Sequence, residues 1–170
     1  MFALSADPTL PKPELYRELG AAADALTAGE SDGIANMANI AALIWQLVPE
    51  LNWAGFYRVI GDELVLGPFC GKPACIRIPF GQGVCGTAAA SGASQLVVDV
   101  RAFAGHIACD AASRSELVVP IVAQGRLAGV LDLDSPVPGR FDQEDVEGCV
   151  KLIQRLETAL AGMAEGGTKG

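Results

Sequence analysis

The 170 residues suit one domain with a proper hydrophobic core and are too few for two ordinary ones. Hydrophobic residues make up 51% of the chain and charged residues 19%. The charged share is below the roughly 25% of typical domains, which leaves spare apolar surface for a homodimer. A net charge of −8 argues against nucleic acid, whose phosphates it repels. No apolar run reaches the roughly 20 residues of a membrane helix, so no membrane is expected either.

Met1 to Pro8 has neither a basic stretch nor an extended apolar one, so no export leader is expected and the compartment is expected to be the reducing cytoplasm. Pro11 and Pro13 open a first helix, with Leu15, Leu19, Ala22 or Ala23 and Leu26 at helical spacing; this helix belongs to an N-terminal segment, residues 1–30. Residues 31–165 form the domain proper. Ser31 is the expected N-cap of a second helix with Ile34, Met37, Ile40, Ile44, Leu47 and Val48 on one face.

Leu51 to Ile60 reads as a strand, Gly61-Asp62 as a tight turn and Glu63 to Leu66 as a second strand broken by Gly67-Pro68. Cys75 to Ile78 is a short strand, and Gly81-Gln82-Gly83 a loop before a helix over Val84 to Ala90. Gln95 to Val98 is β-branched enough for another strand. From Asp99 to Ser115 the pattern is lost, as in a long functional loop. Glu116 to Ala123 and Leu127 to Asp134 form a hairpin, Asp142 to Met163 a closing amphipathic helix, and residues 166–170 a frayed tail. The fold class is α+β, with helices at both ends and a mostly antiparallel meander between them.

Asp132 and Asp134 stand two apart on a strand and share a face, with Leu131 and Leu133 on the other. Whether Glu116 joins them depends on the turn. A two-residue Gln124-Gly125 loop pairs Leu117 with Asp132 and sends Glu116 to the wrong face. A three-residue loop, Ala123 to Gly125 with Gly125 left-handed, pairs Glu116 with Asp132, and this is the expected arrangement. Three carboxylates together raise at least one pKa and invite a cation: a ligand ammonium, or a divalent metal such as Mg²⁺ or Ca²⁺. A solvated acidic strand edge is the plainer alternative.

The five cysteines are an odd number, which rules out a complete disulfide framework. Cys149 sits in the apolar rhythm of the last helix and reads as core. Cys85 begins a helix, where the dipole lowers a thiol pKa, although Val84 and Ala88 beside it also suggest packing. Cys70 and Cys75 flank a Gly-Lys-Pro turn in which Lys72 favours thiolate. Cys109 lies in the irregular loop, three residues from the only histidine, His106. Cys70-x4-Cys75 and His106-x2-Cys109 lack the paired spacing of a zinc site.

Several long motifs, in order, resemble one family. They are Asn52-Trp53-Ala54-Gly55-Phe56-Tyr57, Gly67-Pro68-Phe69, Gly71-Lys72-Pro73-Ala74-Cys75-Ile76-Arg77-Ile78, Gly83-Val84-Cys85-Gly86-Thr87-Ala88, His106-Ile107-Ala108-Cys109-Asp110-Ala111-Ala112-Ser113 and Gly129-Val130-Leu131-Asp132-Leu133-Asp134-Ser135. Together they resemble the free methionine-(R)-sulfoxide reductases, which are standalone GAF domains. The resemblance implies a GAF domain over 31–165 that reduces free methionine-(R)-sulfoxide without metal or cofactor. It implies Cys109 as the nucleophile, Cys75 as the thiol that resolves it by disulfide, and Cys85 as the family's third cysteine. Glu116, Asp132 and Asp134 match the polar residues around the substrate, and Trp53 and Tyr57 an aromatic wall of the pocket.

A thioredoxin-type dithiol is the implied reductant. Cys70 and Cys149 fall outside the family's usual three cysteines, and Cys70 competes with Cys75 and Cys85 for the disulfide. Two other functions stay open at this point: a small-molecule-sensing GAF module without catalysis, and a thiol-ligated metal protein.

Overall fold

The computed structural model describes residues 9–105 and 110–160. His106 and Cys109, the leading residues 1–8, the end of the expected last helix and the expected frayed tail lie outside the described residues.

Helix α1 (Lys12–Thr27) starts at Pro11, with Pro13 inside its first turn where no backbone donor is needed. Helix α2 (Gly33–Leu47) is capped by Asp32 and not by Ser31 as expected: the Asp32 carboxylate accepts from the N–H groups of Ile34 and Ala35 at 2.8 and 2.9 Å. An ionised cap also meets the positive end of the helix. Ile34, in that first turn, is exposed and does not join the buried face.

Strands β1 (Trp53–Ile60), β2 (Glu63–Gly71), β3 (Arg77–Pro79), β4 (Gln95–Val97), β5 (Ser115–Ala123) and β6 (Arg126–Ser135) form one antiparallel sheet in the order β3-β2-β1-β6-β5-β4. Helix α3 (Gly83–Ser91) links β3 to β4. Among its described residues, the irregular stretch expected from Asp99 to Ser115 holds the 3₁₀ turn Val100–Ala102, and it ends where β5 takes up Ser115. The expected single C-terminal helix is interrupted at Leu156, giving α4 (Gln143–Arg155) and α5 (Glu157–Leu160).

The sheet has two buried faces. Ala54, Phe56, Leu117, Val119, Ile121, Leu131 and Leu133 pack on one side against Leu19, Met37, Ile40, Ile44 and Leu152 of α1, α2 and α4. Trp53, Tyr57, Val97, Val118 and Val130 pack on the other against Val84, Cys85 and Ala88 of α3. Side chains alternate between the faces along each strand except at bulges, so register decides which residues meet α3.

Two β-bulges set that register. Gly67-Pro68 does not end β2, contrary to expectation. The strand runs on to Gly71, and the ladder slips between Gly55, opposite Phe69, and Tyr57, opposite Leu66. A bulge tolerates a residue without a backbone donor, which is why proline survives there.

The second bulge corrects the hairpin. Ala123 pairs with Arg126, so the β5–β6 loop has two residues, Gln124 and Gly125, both at positive φ as a type I′ turn requires. Val122 pairs with Leu127 but Ile121 pairs with Gly129, leaving Ala128 as an extra residue on β6. Glu116 therefore pairs with Asp134, and Val118 with Asp132. The three carboxylates share a face by a different route from the expected three-residue loop.

Candidate active site

Register brings the site together on the α3 side of the sheet. On β1 and β6, Trp53 stands opposite Asp134 and Gly55 opposite Asp132, while Glu116 of β5 stands opposite Asp134. Gly55 has no side chain above Asp132, and an added Cβ would sit 2.3 Å from the Cβ of Phe69. Beside that close contact lies a partly open pocket walled by Trp53 and Tyr57 and floored by Glu116, Asp132 and Asp134.

The aromatic wall is a stack. Trp53 lies 5.9 Å from Tyr57 and 5.2 Å from Phe69 between ring centroids, both near parallel. Its polar ends are used elsewhere: Trp53 Nε1 donates to the Lys72 carbonyl at 3.1 Å, and the Tyr57 hydroxyl to the Cys75 carbonyl at 3.0 Å. The rings thus hold the 72–75 loop at the pocket rim while their faces line the cavity.

Helix α3 closes the pocket from above, with Gln82, Gly83, Val84 and Cys85 along its N-terminal turn. The turn can approach this closely because Gly86 has no side chain; a Cβ there would meet the Pro79 carbonyl oxygen at 2.4 Å. Cys85 Sγ sits 3.9 Å from Glu116 Oε1 and within 4.8 Å of an Asp132 carboxylate oxygen. Burial, then Asp132 and Glu116, push the Cys85 thiol well above its usual range. This reverses the expectation from its place at a helix start, because desolvation and two carboxylates outweigh a helix dipole.

The carboxylates are shifted in the same direction. Burial, with Asp132 and Asp134 nearby, raises Glu116 well above an ordinary carboxyl. Burial lifts Asp132 to about 7, against hydrogen bonds from Cys85 and Glu116 that pull it down. Asp134 is raised by burial and by Asp132, although Ser113 hydrogen-bonds it. Asp132 is 6% exposed, and its Oδ1 has no hydrogen-bond partner among the described residues. Such a cluster at neutral pH holds shared protons or a cation.

Of the expected site residues, Trp53, Tyr57, Cys85, Glu116, Asp132 and Asp134 all line this pocket. Cys75 borders it, partly buried among the same apolar residues. Cys109 lies outside the described residues, one position before Asp110 of the lining. Cys70 stands opposite Ala54, whose methyl is in the helix-side core, so the sheet separates it from the pocket. Cys149 is buried between α1 and α4, its Sγ 3.7 Å from the Tyr16 hydroxyl.

Polar residues that the sequence did not assign to the pocket stand at its rim. Lys72 pairs with Asp110 at 3.2 Å, and Asn52 Nδ2 bonds Asp110 and Ser113 at 3.2 and 3.0 Å. Their presence within the quoted motifs was the only sequence signal for them.

Comparisons with known proteins agree with this architecture. A family model described as GAF domain matches residues 35–160. The free methionine-R-sulfoxide reductase of Escherichia coli is 52% identical over 88% of this chain and 91% of its own. That of Saccharomyces cerevisiae is 43% identical over 86% of each. The structure of free methionine-R-sulfoxide reductase from Neisseria meningitidis in complex with its substrate superposes with a TM-score of 0.89 at 44% identity, covering 96% of this chain and 98% of that one. The chain belongs to the GAF-domain family, and within it to the free methionine-R-sulfoxide reductases. Among the described residues, no helix is long and apolar enough to cross a membrane.

Proposed function

We propose that the protein reduces free methionine-(R)-sulfoxide to methionine, using Cys109 as nucleophile and Cys75 as resolving thiol. The observation that carries the reading is the pocket, in which the buried carboxyls of Glu116 and Asp132 and the half-buried one of Asp134 lie beneath a stacked Trp53–Tyr57 wall. A free amino acid supplies an ammonium for the carboxylates and an apolar thioether arm for the rings. The N-terminal turn of α3 offers backbone donors for its carboxylate. A peptide-bound methionine sulfoxide has no free ammonium, and the cluster would stay uncompensated; this is the physical source of selectivity.

In the reaction the Cys109 thiolate attacks the sulfoxide sulfur, and the oxygen takes a proton from the carboxyl cluster. The oxygen ends on Cys109 as sulfenic acid, and methionine leaves with its sulfur reduced by two electrons. The Cys75 thiol then displaces water to form a disulfide, which a thioredoxin-type dithiol reduces by exchange. The helix-side position of Cys70 and the buried, raised thiol of Cys85 favour Cys75 as the partner.

The test couples thioredoxin, its reductase and NADPH to the separate R and S epimers, free and N-blocked. Turnover is expected with the free R epimer alone. Equal rates with blocked substrate would refute the ammonium site. Cys109→Ser is expected to lower turnover by about three orders of magnitude or more, whereas a purely sensing module would bind ligand unchanged without its thiol.

A further inference from the structure

Cys85 is not used as a redox thiol in the reaction above, yet it points into the carboxyl cluster. The sequence suggested only oxygen donors there, a set for Mg²⁺ or Ca²⁺; the structure adds a sulfur. We propose that Cys85, Glu116 and Asp132 form a binding site for a borderline-soft divalent cation of the zinc class, whose occupancy excludes the amino-acid substrate.

Three features support it. The Cys85 Sγ and one carboxylate oxygen each from Glu116 and Asp132 lie within 4.8 Å of one another. Tetrahedral zinc, with bonds of about 2.0 Å to oxygen and 2.3 Å to sulfur, places two oxygens roughly 3.3 Å apart and a sulfur and an oxygen roughly 3.5 Å apart. The 3.9 Å between Cys85 Sγ and Glu116 Oε1 is already close to that value. The unpartnered Oδ1 of Asp132, on a side chain more than nine-tenths buried, lines the same cavity. A cation supplies what this acceptor lacks.

The donor set also selects the ion. One thiolate with two carboxylates suits zinc or cobalt better than magnesium, which favours six oxygen ligands and keeps much of its water. Three protein donors leave a fourth position facing the cavity, open to water. On binding, the thiol and any protonated carboxyl release their protons to solvent, and no electrons move. The cation then stands where the substrate ammonium is proposed to lie. Inhibition rests on that reading, but uptake of the cation does not.

The experiment is a zinc titration of the reduced full chain with Cys70, Cys75 and Cys109 changed to Ser, read by competition with a chromophoric zinc indicator. One equivalent per chain is expected. Adding Cys85→Ser or, separately, Asp132→Asn is expected to weaken uptake about tenfold or more. Co²⁺ in place of zinc is expected to give a thiolate charge-transfer band that Cys85→Ser removes. Asp132→Asn is isosteric and serves where Cys85→Ser disturbs packing, with thermal unfolding as the check on both. No uptake, uptake unchanged in both variants, or displacement by equimolar Mg²⁺ overturns the site. One equivalent taken up as expected, with no reduction of methionine sulfoxide by the unsubstituted chain, would overturn the reductase reading alone.

Discussion

Two aspartates of this fold are buried to a similar degree and in opposite ways. Asp145, at the start of α4, is fully enclosed and fully answered: Lys12 Nζ lies at 2.6 Å, Arg140 at 3.4 Å, and the Tyr16 hydroxyl donates at 3.0 Å. It also closes a capping box by accepting from the Asp142 N–H at 2.9 Å. Asp132, across the sheet, has a thiol and another carboxyl as neighbours and one oxygen with no partner. The first arrangement joins α1, α4 and the 140–142 turn. The second leaves an electrostatic deficit at the floor of a cavity, which is how a protein stores recognition of a cation.

Replacing each by its neutral isostere should therefore change stability with opposite signs. Asp145→Asn leaves Lys12 and Arg140 without their shared carboxylate and is expected to cost about 3 kcal/mol in urea unfolding. Asp132→Asn removes an uncompensated charge and is expected to stabilise the chain by about 1–2 kcal/mol at pH 8 while weakening substrate binding. A loss of stability from both changes would erase the distinction.

The same contrast has a pH signature. The Asp132 carboxyl stands at about 7 in the fold against an ordinary 3.8, so the folded chain keeps a proton that the unfolded chain has already lost between those values. Its contribution to stability is therefore intact below the lower value and declines as pH rises through the window. The stability gained by Asp132→Asn should accordingly grow between about pH 4 and 7 and then level off. An advantage that does not change with pH would show that Asp132 ionises freely. The smallest effect belongs to the rim: Lys72→Ala breaks an ion pair whose lysine is 69% exposed, and at most about 1 kcal/mol, reduced by salt, is expected.

Much of this was legible in the sequence. Period-two alternation placed Asp132 and Asp134 on one face and Leu131 and Leu133 on the other, because a half-buried strand writes its faces into its spacing. Helical spacing located α1 and α2. What failed were features set by contacts distant in sequence. Nothing local to Cys85 announces that Glu116 and Asp132 will stand beside its thiol. The side on which Cys70 emerges depends on its pairing with Ala54. A Gly-Pro pair reads as a strand end unless a partner strand absorbs it as a bulge. The role proposed for Cys109 rests on the resemblance, since spacing alone did not separate it from an ordinary loop cysteine.

The extra residue at Ala128 works as a parity correction. A two-residue turn by itself would set Glu116 opposite Leu133, among the aliphatic side chains under the helices; one surplus position shifts the count and returns the acid to the cavity. Side chains of β5 and β6 beyond the bulge can be exchanged one at a time, whereas the number of residues between them is fixed modulo two. Variation in this hairpin is therefore expected to be tolerated in pairs of insertions or deletions and rejected singly.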